Sequence, residues 1–140
     1  MSLPAIPLKE FDQEMASTRK LLERVPTEKG RWKPHEKSFA LGHLAQLVSW
    51  MPGWIATSLR EFDRNVEQAR AALGSVVGPR LDEPWSLRHG DKVLFTAPRG
   101  EVVRGHLTHL IHHRGQLTVY LRQVDVPLPQ IYGPSADERW

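Results

Sequence analysis

Apolar positions along the chain recur at helical spacing in four stretches. In the first, Leu8, Phe11, Met15, Thr18, Leu22 and Val25 follow one another at steps of three and four. That one-sided stripe predicts an amphipathic helix from Leu8 to Val25, stopped by Pro26. A polar connection follows from Thr27 to Lys37, with Trp32 as its only large apolar residue. The second helix is expected to start near Ser38, a good N-cap, and to run through Trp54. Its strongest face reads Phe39, His43, Leu47, Trp50 and Trp54, and Pro52 predicts a kink or an end. The third stretch, Ser58 to Leu73, places Leu59, Phe62, Val66, Ala69 and Leu73 on one face before Gly74, Gly78 and Pro79 end it.

Residues 80–97 lose the helical period. Trp85-Ser86-Leu87 and Val93-Leu94-Phe95 flank His89-Gly90-Asp91, the pattern of a small β-hairpin. A fourth helix is predicted from about Pro98 to Val124, followed by a Pro-rich tail. Four amphipathic segments in 140 residues predict an all-α fold, a four-helix bundle with a hairpin between the third and fourth helices. A chain of this length makes a single domain, 1–140. One connection is anomalous. Ile55-Ala56-Thr57-Ser58 contains no Gly or Pro, although a corner between the second and third helices takes at least two residues of loop. Either one long bent helix covers this region, or a connecting loop between Thr57 and Ser58 is missing from the chain.

Composition narrows the chemistry. The absence of cysteine excludes disulfides, thiolate metal sites and a Cys nucleophile. No apolar run reaches membrane-spanning length and no signal-peptide stretch opens the chain, so a cytoplasmic location and no membrane partner are expected. The net charge is only +3, and acids alternate with bases, as in Lys9-Glu10, Arg60-Glu61 and Asp63-Arg64. Nucleic-acid binders concentrate positive charge on one face, so no nucleic-acid partner is expected.

Histidine is the outstanding feature. Four of the seven, His106, His109, His112 and His113, fall within eight residues of the fourth helix. His109 and His113 are four apart, so both imidazoles can reach one point beside the helix. They share an arc with His106, Gln116, Leu117 and Tyr120, while His112 points away. Leu110 stands where a zinc-protease helix would carry Glu, so that motif is absent. His43 lies in the middle of the second helix's apolar stripe. Burying an unpaired imidazole there would cost about 1–3 kcal/mol for each unsatisfied group. A metal, a carboxylate, or a hydrogen bond to Gln116 or Tyr120 would remove that cost. The inward stripes of the other helices show no Asp or Glu, which points toward a metal held by His43, His109 and His113. No residue is assigned a catalytic role.

The run His109-Leu110-Ile111-His112-His113-Arg114-Gly115-Gln116-Leu117, with Gly42-His43-Leu44 upstream, resembles the DinB/YfiT-like family. Tyr120-Leu121-Arg122 and the tail from Pro127 to Glu138 fit the same pattern. The resemblance implies a bacterial four-helix bundle, often a homodimer, with a three-histidine metal site at His43, His109 and His113. Within that family some members are S-transferases using low-molecular-weight thiols, others are described as hydrolases, and many have no known reaction. It departs from the family in the short connection between the second and third helices.

A three-histidine site with an open position can ionise a water, which gives a hydrolase, or a thiol, which gives a thiol-dependent S-transferase. Imidazole ligands suit zinc, nickel, copper or iron alike, so the ligand set does not name the metal; zinc or nickel is the expectation, and the partner would be a small molecule. The alternative is a non-catalytic, stress-linked bundle in which the metal is structural. Arg114 lies beside Leu107, Ile111 and Leu121, a second apolar flank that predicts a tail contact or a dimer contact.

Overall fold

The computed structural model describes residues 7–52, 59–75 and 79–139. Its elements, in order, are α1 (Leu8–Leu22), a 3-10 turn (Thr27–Lys29), α2 (Leu41–Trp50), α3 (Leu59–Ser75), α4 (Pro79–Asp82), β1 (Pro84–His89), β2 (Lys92–Pro98) and α5 (Arg99–Gln123). The four long helices and the hairpin match the sequence pattern; the single turn of α4 was not anticipated. The questioned Thr57–Ser58 connection and Trp54 lie outside the described residues.

Helices α1, α2, α3 and α5 share one core. Phe11, Met15 and Leu21 from α1 meet Leu41, Leu44 and Val48 from α2, Phe62 from α3, and Leu107, Leu110, Leu117 and Leu121 from α5. The α1 stripe therefore faces inward as its periodicity requires. The helix ends at Leu22 because the next amides tighten into three-residue turns, Arg24 N–H to Leu21 O and Val25 N–H to Leu22 O, before Pro26, which has no N–H to give.

Helix α2 departs most from expectation. Its first amides are satisfied by the preceding loop: Leu41 N–H donates to Trp32 O at 2.8 Å and Gly42 N–H to Gly30 O at 2.9 Å. These carbonyls replace the side-chain cap expected from Ser38, and the helix starts at Leu41 with no capping side chain. Docking through the loop also sets the rotation of the helix. Leu41, Leu44 and Val48 are fully buried, while Phe39 is 46% exposed and His43 is exposed. The stripe built on Phe39, His43, Leu47 and Trp50 is thus a flank of the helix, roughly opposite its buried face. His43 is not a core histidine. The burial cost that made it exceptional does not arise.

The hairpin pairs Leu87 with Phe95 and Trp85 with Ala97, with a bulge after Leu87. Its turn places Gly90 at φ +59°, where a residue without Cβ carries no strain. Beyond α5, Asp125 adopts φ 60° and Val126 N–H returns to Leu121 O at 3.0 Å, which turns the tail back over α1. The tail is fastened by Ser17 Oγ donating to Ile131 O at 3.3 Å and by ion pairs Arg24–Glu138 and Arg122–Asp137. Among the described residues no helix is long and apolar enough to cross a membrane.

Candidate metal centre

The 25 residues of α5 carry two chemically different faces. One carries Arg114, which is 1% exposed and lies in line with Leu107 and Leu121. Its Nη2 meets Glu14 Oε2 of α1 at 2.6 Å and donates to the Tyr132 hydroxyl at 2.6 Å. Its Nη1 donates to Glu14 O at 3.0 Å and to Thr18 Oγ1 at 3.2 Å. Tyr132 in turn donates to Glu14 Oε2 at 3.0 Å, and its ring lies over the guanidinium with 5.1 Å from Cζ to centroid. Burial pushes the Tyr132 phenol above its ordinary pKa against the opposing Arg114 charge, so it stays a hydroxyl donor. The tail contact expected of Arg114 is therefore present. Of the same flank, Leu107 and Leu121 are buried within the chain, while Ile111 is half-buried.

Glu14 corrects a second expectation. It is 9% exposed and stands on the inward stripe of α1, where no carboxylate was foreseen. The available signal was its spacing, with Phe11, Thr18 and Leu21 on the same side of the helix at steps of three and four.

The other face carries the imidazoles. His113 Nε2 and His109 Nε2 are 2.9 Å apart, and His113 Nδ1 is 2.6 Å from Gln116 Oε1. An amide oxygen can only accept, so His113 carries its proton on Nδ1 and presents a bare Nε2. Partial burial first, and then the neighbouring His113, His112 and His106, hold His109 below its ordinary pKa, which favours its neutral form. Both nitrogens thus converge on one point. The 2.9 Å separation is that of a hydrogen bond between the rings, and it also lies at the short end of the roughly 2.9–3.4 Å between two ligands bound to one metal at about 2.0–2.1 Å. Gln116 would supply the outer hydrogen bond of a histidine that ligated a metal.

His43 stands one ring away. Its imidazole stacks on Phe39, with centroids 4.8 Å apart and planes 6° from parallel. Phe39 also meets His113 at 6.5 Å. The structure thus brings His109 and His113 together and leaves His43 stacked on Phe39; among the described residues no three His, Asp or Glu side chains form a metal-holding group. His112 is exposed and touches the edge of His113 at 5.0 Å. Tyr120 packs edge-on against Trp32 at 5.8 Å, a core role.

Against known proteins, the profile of the DinB family matches residues 56–139, more than half of the chain. The chain belongs to the DinB family. Among curated proteins it is similar to the uncharacterized protein YrdA of Bacillus subtilis (strain 168), 44% identical over 148 residues that cover 94% of this chain and 89% of YrdA. That alignment is longer than the chain itself, so YrdA carries residues this chain lacks. Two crystal structures share the fold: a DinB-like protein, YjoA, from Bacillus subtilis with TM-score 0.70 at 18% identity, and one from Bacillus cereus ATCC 10987 with TM-score 0.66 at 19%. Each match covers 89% of this chain and 95% of the other.

Proposed function

We propose that this DinB-family chain binds a divalent metal ion, zinc or nickel, through Nε2 of His109 and His113, with His43 as third ligand. The observation that carries the proposal is the 2.9 Å approach of two imidazole nitrogens, one fixed in its tautomer by Gln116. Phe39 contacts both the His43 and the His113 rings, and engaging His43 calls for a change in its stacking on Phe39, which is 46% exposed. When bound, such an ion supplies the Lewis acidity that ionises a water or a small thiol at neutral pH. His109 is solvent-exposed, so a small molecule can reach the converging nitrogens from that side. That access supports a metal-dependent hydrolase or thiol-dependent S-transferase over a closed structural site.

The test is metal content of tag-free protein beside His43→Ala, His109→Ala, His113→Ala and Gln116→Leu. Near-stoichiometric metal in the parent, lost in the two α5 histidine variants and weakened about 10–100-fold in Gln116→Leu, supports the centre. Equal trace metal in all five refutes it and leaves a hydrogen-bonded imidazole pair. Loss in the α5 variants with full retention in His43→Ala refutes the third ligand alone.

A further inference from the structure

A half-open cavity of about 710 Å³ lies between the hairpin and α5, within the size range of small-molecule sites. Its walls are Trp85, Leu87 and Phe95 from the strands and Val102 and Val103 from the helix. Leu87 and Phe95 pair directly across the hairpin, yet they remain 38% and 45% exposed. Trp85 packs against Phe95 at 6.0 Å, which stiffens this apolar face. The hairpin thus holds large side chains over the helix without closing on it. Nothing in the bundle core requires this, since the buried residues of α5 turn toward α1, α2 and α3.

The charge around the cavity has one sign. Arg80 and Arg99 border it, and no carboxylate side chain does. Arg99 is half-exposed and pairs with Glu83 at 3.4 Å. Arg80 has no acidic partner among the described residues. An uncompensated guanidinium beside an aromatic wall is complementary to a molecule with an apolar body and an anionic end. Val103 and His106 also border a smaller, likewise half-open apolar cavity of about 220 Å³, beside Met15 and Leu73. An elongated apolar body would therefore find further apolar surface beyond the first cavity.

We propose that this groove binds an amphipathic carboxylate. The apolar body lies against Trp85, Leu87 and Phe95, and the carboxylate meets Arg80, with Arg99 as the second cation. The site is built from the hairpin, α4 and the first turns of α5, so it does not depend on the metal centre.

Calorimetry on the full chain in excess EDTA, with decanoate below its micelle concentration, tests the proposal. Decanol and decyltrimethylammonium serve as controls. Saturable one-to-one binding of decanoate is expected, with weaker decanol binding and none of the cation. Arg80→Gln should weaken decanoate by about tenfold or more and leave decanol unchanged. Leu87→Asp, an exposed position whose folding is checked by circular dichroism, should remove binding of both. The proposal is overturned by the absence of saturable decanoate binding, by equal affinity for decanoate and decanol, or by an Arg80→Gln variant that binds decanoate like the parent. Decanoate affinity that survives Leu87→Asp overturns the placement in this groove.

Discussion

Breaking the Glu14–Arg114 pair should expose how strongly the fold depends on it. The guanidinium is 2% exposed at its side chain and the carboxylate 11%, with 2.6 Å between them. Truncating either partner leaves a charge in a site closed to water. Glu14→Leu strands a guanidinium that keeps only the neutral acceptors Glu14 O, Thr18 Oγ1 and the Tyr132 hydroxyl. Arg114→Met strands a carboxylate held by one phenol. Each variant is expected to lose about 3–5 kcal/mol, the usual cost of an orphaned buried charge. For a chain of this size that corresponds to roughly 10–20 °C in Tm. The double variant, Glu14→Leu/Arg114→Met, has no charge left to strand and should fall within about 1–2 kcal/mol of the parent. Urea unfolding followed by circular dichroism, with thermal melts in parallel, reads all four proteins. Two results would refute the reasoning: a single variant costing under about 1 kcal/mol, or a double variant costing the sum of its parts.

Two further expectations follow from the loop and the tail. Gly42→Ala sets a Cβ 3.0 Å from Gly30 O and 3.3 Å from Gly30 Cα, all backbone, so α2 and its docking loop must separate. A net loss of about 1–3 kcal/mol is expected, whereas Gly115→Ala, with nothing within 4 Å, should gain about 0.5–1 kcal/mol as a helix position; equal stabilities for the two would disprove the close approach. In the tail, Arg122 and the Leu128 N–H hold Asp137 below its ordinary pKa, and the Gln130 N–H and Arg24 do the same for Glu138. Because the folded values are lowered, this fastening is complete above the ordinary carboxylate range and is lost as pH falls below that range through the lowered values. Hydrogen exchange at the Leu128 and Gln130 amides, corrected for intrinsic rates, should lose protection there; protection lost between pH 6 and 8 would contradict the assignment.

What could be read along the chain was what local geometry decides. The convergence of His109 and His113 needs only a helix and a spacing of four, and Gln116, three residues on, needs only the same turn. The hairpin declared itself through its alternation and Gly90. The face of α2 did not, because Leu41, Leu44, Leu47, Val48 and Trp50 form one apolar arc about 180° wide, of which the expected stripe was only one edge. Periodicity then cannot choose, and the choice falls to the carbonyls of Gly30 and Trp32, which dock its first turn. Because that docking turns Leu41 and Leu44 inward, His43 is carried out to the flank with Phe39.

Glu14 was hidden for a different reason. A carboxylate among apolar residues reads as solvated until its cation is known, and here the cation is 100 residues away on α5. The same short run supplies both faces: Arg114 locks α5 to α1 and the tail, while His113, one residue earlier, turns about 100° away toward His109. A rotation of α5 would carry the His109–His113 pair unchanged, but it would shift the pair relative to His43 on α2 and pull the guanidinium off Glu14, Thr18 and Tyr132. The buried ion pair therefore holds α5 against α1 and the tail, and an Arg114→Met protein that still folds should have a lower Tm and, with His43 as the proposed third ligand, bind metal more weakly than the parent.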